Sequence, residues 1–243
     1  MILLQSPKFD DLPPCPYLSE REKQYEYFFA HELNEEETDV LLAQGWRKFG
    51  IHFFRPSCPR CSQCIPVRVL TKDFKPSRSQ RRNLKRNANI EVRFGPLIFT
   101  PRIYEIYSAH SAERFEQKAD LENFLVGFYT PSCPSLQSEY YLGDELIGAG
   151  FLDIGDNCLS SIYFFFDPAY SKLGIGTFSV LKEIEYAASM GLSYYYLGYY
   201  VPGCSRMCYK DSFHPREHYS WDTNFWHRVD STQVKVDPLR PEF

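Results

Sequence analysis

Three cysteines stand close together, with two residues between each neighbouring pair, at Cys58, Cys61 and Cys64. Thiolates at such short gaps are typical ligands of a structural zinc ion, which is surrounded by four of them in a tetrahedron. Cys15 is the natural fourth ligand, because it lies in a proline-rich segment of the same half of the chain. The same four thiolates could bind an iron–sulfur cluster instead, and spacing does not separate these two sites from free thiols packed in a small domain.

A basic segment follows the cysteines directly. Residues 72–93 carry eight Lys or Arg side chains against two acids, in a chain whose net charge is −4. Arg78, Arg81, Arg82 and Lys85 have the spacing i, i+3, i+4 and i+7, which puts them on one face of a helix. Charge concentrated in this way favours an anionic partner, nucleic acid first, over a merely solvated helix face.

Further side chains with chemical potential follow a predicted strand at residues 194–197. Ligands of open α/β sheets bind beyond the ends of strands, so Tyr199, Arg206, Tyr209 and Lys210 could line a pocket there. Packing at a sheet edge explains the tyrosine spacing equally well.

The elements around this stretch predict a specific topology. Strands are expected at residues 146–154 and 158–166, then a helix that ends at Gly191, then the strand at 194–197. This order is a crossover that pairs the last strand parallel to the strand before the helix. It resembles the core of the GNAT acyltransferase fold.

The helix begins at a glycine turn formed by Gly174 and Gly176. In the GNAT fold such a turn holds the pyrophosphate of an acyl-coenzyme A at the helix N-terminus. Ser171 stands where the GNAT pattern has Gln or Arg, so the fold is expected here without a prediction of coenzyme A binding.

The first half is predicted to contain several short elements. Residues 1–19 are rich in proline and expected to be irregular, and a helix should start at the capping box Asn34–Glu37. Residues 46–55 are interpreted as one strand, and further strands are expected at 22–30, 65–70 and 88–94. Breaks near residues 95–100 predict two domains: a cysteine-containing domain at 1–97 packed on a GNAT-like domain at 98–243. The fold class is α+β (α/β) with a mixed, mainly antiparallel sheet.

Composition indicates an ordinary globular protein, with 44% hydrophobic and 24% charged residues. No apolar run reaches the roughly 18 residues of a membrane span, and the N-terminus lacks the apolar core of a signal peptide. We therefore expect a cytoplasmic protein with no membrane partner. In a reducing compartment its eight cysteines should not form a disulfide framework.

Motifs from both halves together resemble the aminoacyl-tRNA–protein transferases, over residues 15–220. The first-half motifs are Cys15-Pro-Tyr-Leu, Phe54-Arg-Pro, Cys58-x-x-Cys-x-x-Cys-x-Pro-Val-Arg-Val, Pro76-Ser-Arg-Ser-Gln-Arg-Arg and Arg86-Asn87. The second-half motifs are Ser161-Ile-Tyr163, Asp167-Pro168, Leu173-Gly174, Tyr196-Leu-Gly-Tyr199, Gly203-Cys204-x-x-Met207-x-Tyr209-Lys210 and Phe213-x-Pro215-x-Glu217. The compact chain is more similar to the bacterial aspartate/glutamate leucyltransferase type than to the longer eukaryotic arginyltransferases.

The resemblance implies a reaction and its partners. An aminoacyl group, leucine in the bacterial type, would move from aminoacyl-tRNA to the N-terminal amine of a protein that starts with Asp or Glu. The new N-terminus would mark that protein for degradation by the N-degron route. No cofactor is required for such a transfer, although the matching cysteines of eukaryotic relatives are associated with zinc or an iron–sulfur cluster.

The resemblance also implies candidate roles. Tyr199, Tyr209 and Lys210 would line the catalytic pocket, with Ser161 and Asp167 nearby. The acidic side chain of the acceptor needs a cation, and Arg suits it because its guanidinium binds carboxylates in bidentate fashion. The candidates for that contact are Arg68, Arg78, Arg81 and Arg82. The candidates for contacts with tRNA phosphates are Lys75, Lys85, Arg86 and Arg206.

Three alternatives stay open at the level of sequence. Arginine could be the transferred residue, the protein could be a GNAT acetyltransferase that uses acetyl-CoA, or the cysteine cluster could be an RNA-binding module without catalysis. Ser171 and the basic segment count against the acetyltransferase, and the long second half counts against the RNA-binding module.

Overall fold

Two β-sheets organise the computed structural model, which describes residues 1–229. The strands are β1 Ile2–Phe9, β2 Tyr25–His31, β3 Arg47–Phe49, β4 His52–Pro56, β5 Ile65–Leu70, β6 Ile90–Gly95, β7 Ser135–Leu142, β8 Glu145–Ile154, β9 Cys158–Phe166, β10 Tyr194–Tyr200, β11 Arg216–Ser220 and β12 Phe225–Val229. The α-helices are α1 Glu35–Ala43, α2 Arg78–Arg86, α3 Pro101–Phe115, α4 Leu121–Phe128, α5 Ile175–Ser189 and α6 Ser205–Cys208. Short 3-10 helices span Thr71–Asp73, Pro168–Leu173 and Tyr209–Ser212.

The large sheet has the strand order β12-β11-β5-β10-β9-β8-β7-β6. Its pairs are antiparallel except for β9 and β10, which are parallel and joined by the crossover helix α5. Eight residues of α5 are buried, and several of them pack with Val67 and Val69 of β5 in one apolar cluster. The predicted α+β class, mainly antiparallel sheet and parallel crossover are therefore confirmed.

The small sheet has the order β1-β2-β4-β3 and differs from the prediction at two places. Residues 46–55 form a hairpin, not one strand, because Gly50 turns the chain at a φ of +54°. A Cβ at Gly50 would lie 2.7 Å from the Val126 carbonyl oxygen, so a larger residue would not fit. Residues 2–9 form β1, not an irregular segment, and pair antiparallel with β2. Nearly all side chains of β1 are exposed, so no alternation of apolar residues marks it as a strand.

The large sheet takes strands from both sides of the predicted domain boundary. β5 lies between β11 and β10, and β6 forms an edge beside β7. The division at residue 97 stays a prediction, and residues 230–243 of the predicted second domain lie outside the described part of the chain. Within the described residues, every helix is too short or too polar to cross a membrane.

Helix α2 is fixed against the start of α5. It begins at the capping box of Ser77 and Gln80. The Asn83 amide donates to the Gly174 carbonyl at 3.0 Å, and the Asn87 amide donates to the Leu173 carbonyl at 3.0 Å. The basic helix is thereby held on the second half of the chain, close to the glycine turn.

Candidate active site

The parallel pairing of β9 and β10 ends part-way along both strands. Its register runs from Tyr194 opposite Cys158 to Tyr196 opposite Ser160. Gly198 then adopts a φ of +86° and shifts the register of β10 against β5. Among the described residues the two strands are unpaired beyond this point. We call this place the β9–β10 opening, bounded by Ser161 and Gly198.

Arg47 of β3 reaches the opening from the small sheet. Its guanidinium donates to the Ser160 hydroxyl at 2.8 Å and to the Ser161 carbonyl. Arg47 is only 9% exposed, and burial lowers its pKa, although a guanidinium remains protonated at any physiological pH. The sequence analysis missed this residue. The one available signal was the adjacent pair Arg47-Lys48 inside an otherwise apolar strand.

Lys48 makes an ion pair of its own. Its ammonium lies 2.9 Å from Asp153 of β8, and both side chains are buried. Asp153 also accepts a hydrogen bond of 2.9 Å from Ser135. The charge of Lys48 is therefore compensated, whereas Arg47 has no carboxylate within ion-pair distance in residues 1–229.

Lys210 lies beside Arg47. Its ammonium nitrogen is 3.3 Å from the point that a Cβ on Gly198 would occupy, and the Arg47 guanidinium is 3.8 Å from the same point. The side chain is half-buried, and across residues 1–229 it makes neither an ion pair nor a side-chain hydrogen bond. Burial, together with the positive charge of Arg47, lowers the pKa of Lys210 to about 7. Glycine at position 198 therefore leaves the space in which two cations meet.

A buried acid lies next to Ser161 and Tyr195. Glu183 of α5 is 1% exposed and accepts a hydrogen bond from the Tyr195 hydroxyl. Burial raises the pKa of Glu183 to about 7, and hydrogen bonds from Tyr195 and Ser161 oppose that rise. Ser161 thus connects this acid to the opening. The sequence analysis missed Glu183, because a single acid on a helix carries no signal of burial.

The remaining predicted catalytic residues are placed differently. Tyr209 starts the 3-10 helix that carries Lys210, and its ring centre lies 5.9 Å from the Lys210 ammonium. Tyr199 is buried, and its hydroxyl donates to the Gly45 carbonyl at 2.8 Å. This bond uses the hydroxyl to hold a loop of the small sheet, so the structure gives Tyr199 a packing role.

Asp167 also has local partners. It caps a 3-10 helix by accepting from the Ala169 amide at 3.1 Å, and it lies 2.8 Å from Arg102. It stands six positions beyond Ser161, which is roughly 20 Å along an extended strand. The structure does not bring Asp167 to the opening.

The four arginines predicted to bind the acceptor carboxylate fall into two groups. Arg78, Arg81 and Arg82 are exposed on α2. Arg68 is instead occupied, because it lies 2.6 Å from Glu217 and stacks on Tyr194 at 3.8 Å. We therefore assign Arg68 to the packing of β5 and not to substrate.

The four basic residues predicted to bind tRNA are exposed, and Arg86 among them borders a groove. Arg82 and Arg86 lie on its wall, and its volume is about 430 Å³. The complete lining is Ser77, Ser79, Gln80, Arg82, Asn83, Arg86, Thr177 and Ser212. Lys75, Lys85 and Arg206 are exposed outside it. Ser212 ends the 3-10 helix that carries Lys210, and its carbonyl accepts from Gln80 at 3.1 Å, so the groove adjoins the opening.

The four predicted metal ligands lie in one region but do not form a metal site as they stand. Cys15, Cys58 and Cys61 are close enough to Cys64 to help raise its pKa, which burial raises to about 12. The Cys58 sulfur is 3.3 Å from the Gln24 amide nitrogen. In residues 1–229 no group of three or more Cys, His, Asp or Glu side chains is arranged to hold a metal ion. Metal ligands must be thiolates, whereas burial here favours thiols.

Two family models together match most of the chain. Residues 13–82 match the family model of the arginine-tRNA-protein transferase N terminus, and residues 101–220 match that of its C terminus. An aspartate/glutamate leucyltransferase of Campylobacter jejuni is 33% identical over 214 residues, which cover 84% of this chain and 88% of that protein. The enzyme of the same name from Marinobacter nauticus is 36% identical over 214 residues, covering 84% and 90%.

Among solved structures, FemX aligns with a TM-score of 0.47 at 6% identity, covering 83% of this chain and 81% of that one. The two family models and the curated relatives span most of the sequence. The chain therefore belongs to the aminoacyl-tRNA–protein transferase family.

Proposed function

We propose that this protein transfers leucine from leucyl-tRNA to the N-terminal amine of proteins that begin with Asp or Glu. The names of relatives that share 32–36% identity over most of their length support this substrate pair. The observation that carries the proposal is the β9–β10 opening, where Ser161, Arg47 and Lys210 gather beside the basic groove of α2.

The reaction is the aminolysis of an ester. The nitrogen of the acceptor amine bonds to the ester carbonyl carbon, and a tetrahedral intermediate forms. The bond from that carbon to the ribose oxygen then breaks, and a proton lost by the amine ends on that oxygen. The ester is already activated and the pKa of an α-amine is about 8, so correct placement of the two substrates provides most of the catalysis.

Ser161 is the residue that we assign to the reacting carbonyl. It is the first residue of β9 beyond the parallel pairing, and its own carbonyl is held by Arg47. A hydroxyl aimed at the carbonyl oxygen stabilises the charge that develops there. Hydrogen bonds with Glu183 and Tyr195 position the Ser161 hydroxyl, and the Tyr209 hydroxyl is a second donor near the opening. Lys210 contacts the acceptor.

Aminoacyl-tRNA is proposed to lie across α2. The exposed cations of this helix and the groove of about 430 Å³ suit the phosphates of a nucleic acid. The groove adjoins the 3-10 helix with Lys210, so a 3′ end bound there would have its ester near the opening. We assign no step to a metal. The cysteine site stays a prediction, which measurement of zinc and iron in anaerobically purified protein tests.

The direct test uses a peptide that begins with Asp, together with leucyl-tRNA or arginyl-tRNA in separate reactions. The expected product is the peptide extended by one leucine, identified by its mass. Extension by arginine would instead favour arginine as the transferred residue, as in the arginine-tRNA-protein transferases after which the matching family model is described. Absence of both products would overturn the proposal. Coenzyme A titrated into the protein should not bind, since Ser171 occupies the position of the usual Gln or Arg.

The biological consequence follows from the product. A leucine added to an acidic N-terminus gives a protein a new first residue, which we propose marks it for degradation. We place the reaction in the cytoplasm, where charged tRNA is made. Expression of a reporter that starts with Asp, with and without this protein, should show a shorter reporter half-life when the protein is present.

A further inference from the structure

Lys210 is a cation without a partner. Buried or half-buried charges are normally paired, because removing an ion from water is unfavourable unless an opposite charge compensates. In residues 1–229 the Lys210 ammonium has no such partner, and the guanidinium of Arg47 borders the same space over Gly198. The two positive charges repel each other, and the fold nevertheless keeps both of them at this place.

The surroundings do not supply the missing negative charge. Besides Arg47, the titratable groups that face Lys210 are Cys64, Cys204 and Tyr209. None of these groups is a carboxylate. The acid nearest Arg47, Asp153, is committed to Lys48 at 2.9 Å. Two cations thus face the opening with no free carboxylate in the described chain.

The position of the pair selects the kind of anion. The side-chain carboxylate of an N-terminal Asp or Glu is only two or three carbon atoms from the α-carbon that carries the reacting amine. Its receptor must therefore lie beside the reacting centre. Lys210 and Arg47 lie at the β9–β10 opening, whereas Arg78 and Arg81 are exposed on α2.

We infer that Lys210, supported by Arg47, binds the side-chain carboxylate of the acceptor's first residue and so selects Asp and Glu. This inference rests on the proposed function and moves substrate selection away from α2. An Asn or Gln at the first position would leave the cations uncompensated, and sites built for a charge reject neutral isosteres strongly. The exposed arginines of α2 are then available for tRNA.

The inference has a thermodynamic signature. An opposite charge beside Lys210 raises its pKa, so the bound carboxylate should cause the Lys210 amine, which burial has made less basic, to take up a proton. At pH 8 we expect an Asp peptide to take up roughly half to one proton more than its Asn counterpart. The α-amine is common to both peptides, so its own proton cancels in the difference. Calorimetry in two buffers of different ionisation enthalpy, with uncharged tRNA present, measures this difference.

Variants separate recognition from reaction. Lys210→Met should lower the Asp-over-Asn ratio of kcat/KM by about 100-fold, mainly through the KM of the Asp peptide. Lys210→Arg should retain the preference but lose the proton uptake, because a guanidinium stays protonated in both states. Lys118→Met, at an exposed position on the loop after α3, is the matched control and should change neither value.

Each outcome decides the inference. Equal proton uptake by Asp and Asn peptides, or an unchanged Asp-over-Asn ratio in Lys210→Met with a lower kcat, would overturn it and make Lys210 a group that acts on the reaction. The proposed function fails separately. In that case the wild-type protein transfers nothing to any peptide from leucyl-tRNA, whatever the binding experiment shows.

Discussion

At the scale of residues, burial brings two groups of opposite charge to the same titration range. It lowers the pKa of Lys210 to about 7 and raises that of Glu183 to about 7, because a charged form is disfavoured away from water. Lys210 lies in the opening, and Glu183 accepts hydrogen bonds from Ser161 and Tyr195. Side chains that change protonation near pH 7 are typical of functional sites.

Glu183 should make stability depend on pH. Between pH 4.5 and about 7 the native carboxyl keeps its proton while the unfolded chain releases it, so the free energy of unfolding falls as pH rises. A shift of this size corresponds to about 3 kcal/mol. We expect Glu183→Gln to remove most of this fall, measured by urea unfolding at pH 5 and pH 8.

The control lies on the same helix. Glu185 is exposed and pairs with Lys182, so Glu185→Gln should leave the pH dependence of the wild type unchanged. If Glu183→Gln and the wild type lost the same stability between the two pH values, Glu183 would not be the buried acid that titrates.

At the scale of elements, ion pairs fix the short segment that carries Lys210. The 3-10 helix Tyr209–Ser212 is fixed because Asp211 lies 2.5 Å from Arg216, which is 1% exposed on β11. His218 of the same strand lies 2.8 Å from Asp211. Lys210 therefore lies on a short helix that is fixed to the large sheet by the ion pairs of the next residue, Asp211.

Helix α2 differs, because its Asn83 and Asn87 side chains are anchored to the start of α5 while its cations are exposed. We expect Arg82→Ala with Arg86→Ala to weaken tRNA binding and to reduce the salt slope of log K by about 0.9 for each lost phosphate contact. The test is to measure the affinity for tRNA at salt concentrations from 50 to 200 mM, which is about a fourfold range. Thermal stability should stay the same, since exposed charges contribute little to it.

A control for the loss of an exposed positive charge is available on an edge strand. Arg228 is exposed on β12, and Arg228→Ala should leave the salt slope as in the wild type. An unchanged slope in the double variant of α2 would contradict the placement of tRNA on this helix.

At the scale of the whole molecule, the small sheet completes the site on the large sheet. Consecutive residues of β3 make the connection: Arg47 binds β9, and Lys48 binds Asp153 of β8. The hairpin at Gly50 is what directs β3 towards the large sheet. The candidate site therefore includes contacts between the two sheets.

Removal of one partner of the buried ion pair tests this connection. Asp153→Asn leaves the Lys48 ammonium, 8% exposed, without a carboxylate, and should lower the free energy of unfolding by about 3 kcal/mol. Urea unfolding measures the loss. Glu91→Gln breaks the exposed pair with Arg93, so its effect should stay within about 0.5 kcal/mol. Equal midpoints for both variants would show that the Lys48–Asp153 pair does not stabilise the assembly.

The elements were the most predictable part of the molecule. The capping box at Asn34 and the strand at residues 158–166 could be predicted because each depends on neighbouring residues only. The exposed edge strand β1 could not, because its pairing with β2 depends on a partner about 20 residues away and leaves no apolar pattern.

The sequence by itself determined the family, the α+β class with its parallel crossover, and the concentration of positive charge on α2. Only the tertiary structure decided which charges meet. Arg47 joins Ser161 across 114 positions of the chain, and Lys210 meets Arg47 over Gly198. It also assigned Tyr199 and Arg68 to packing contacts and uncovered Glu183. The reason is physical: local patterns define helices and strands, whereas the partner and burial of a charged side chain depend on residues distant in sequence.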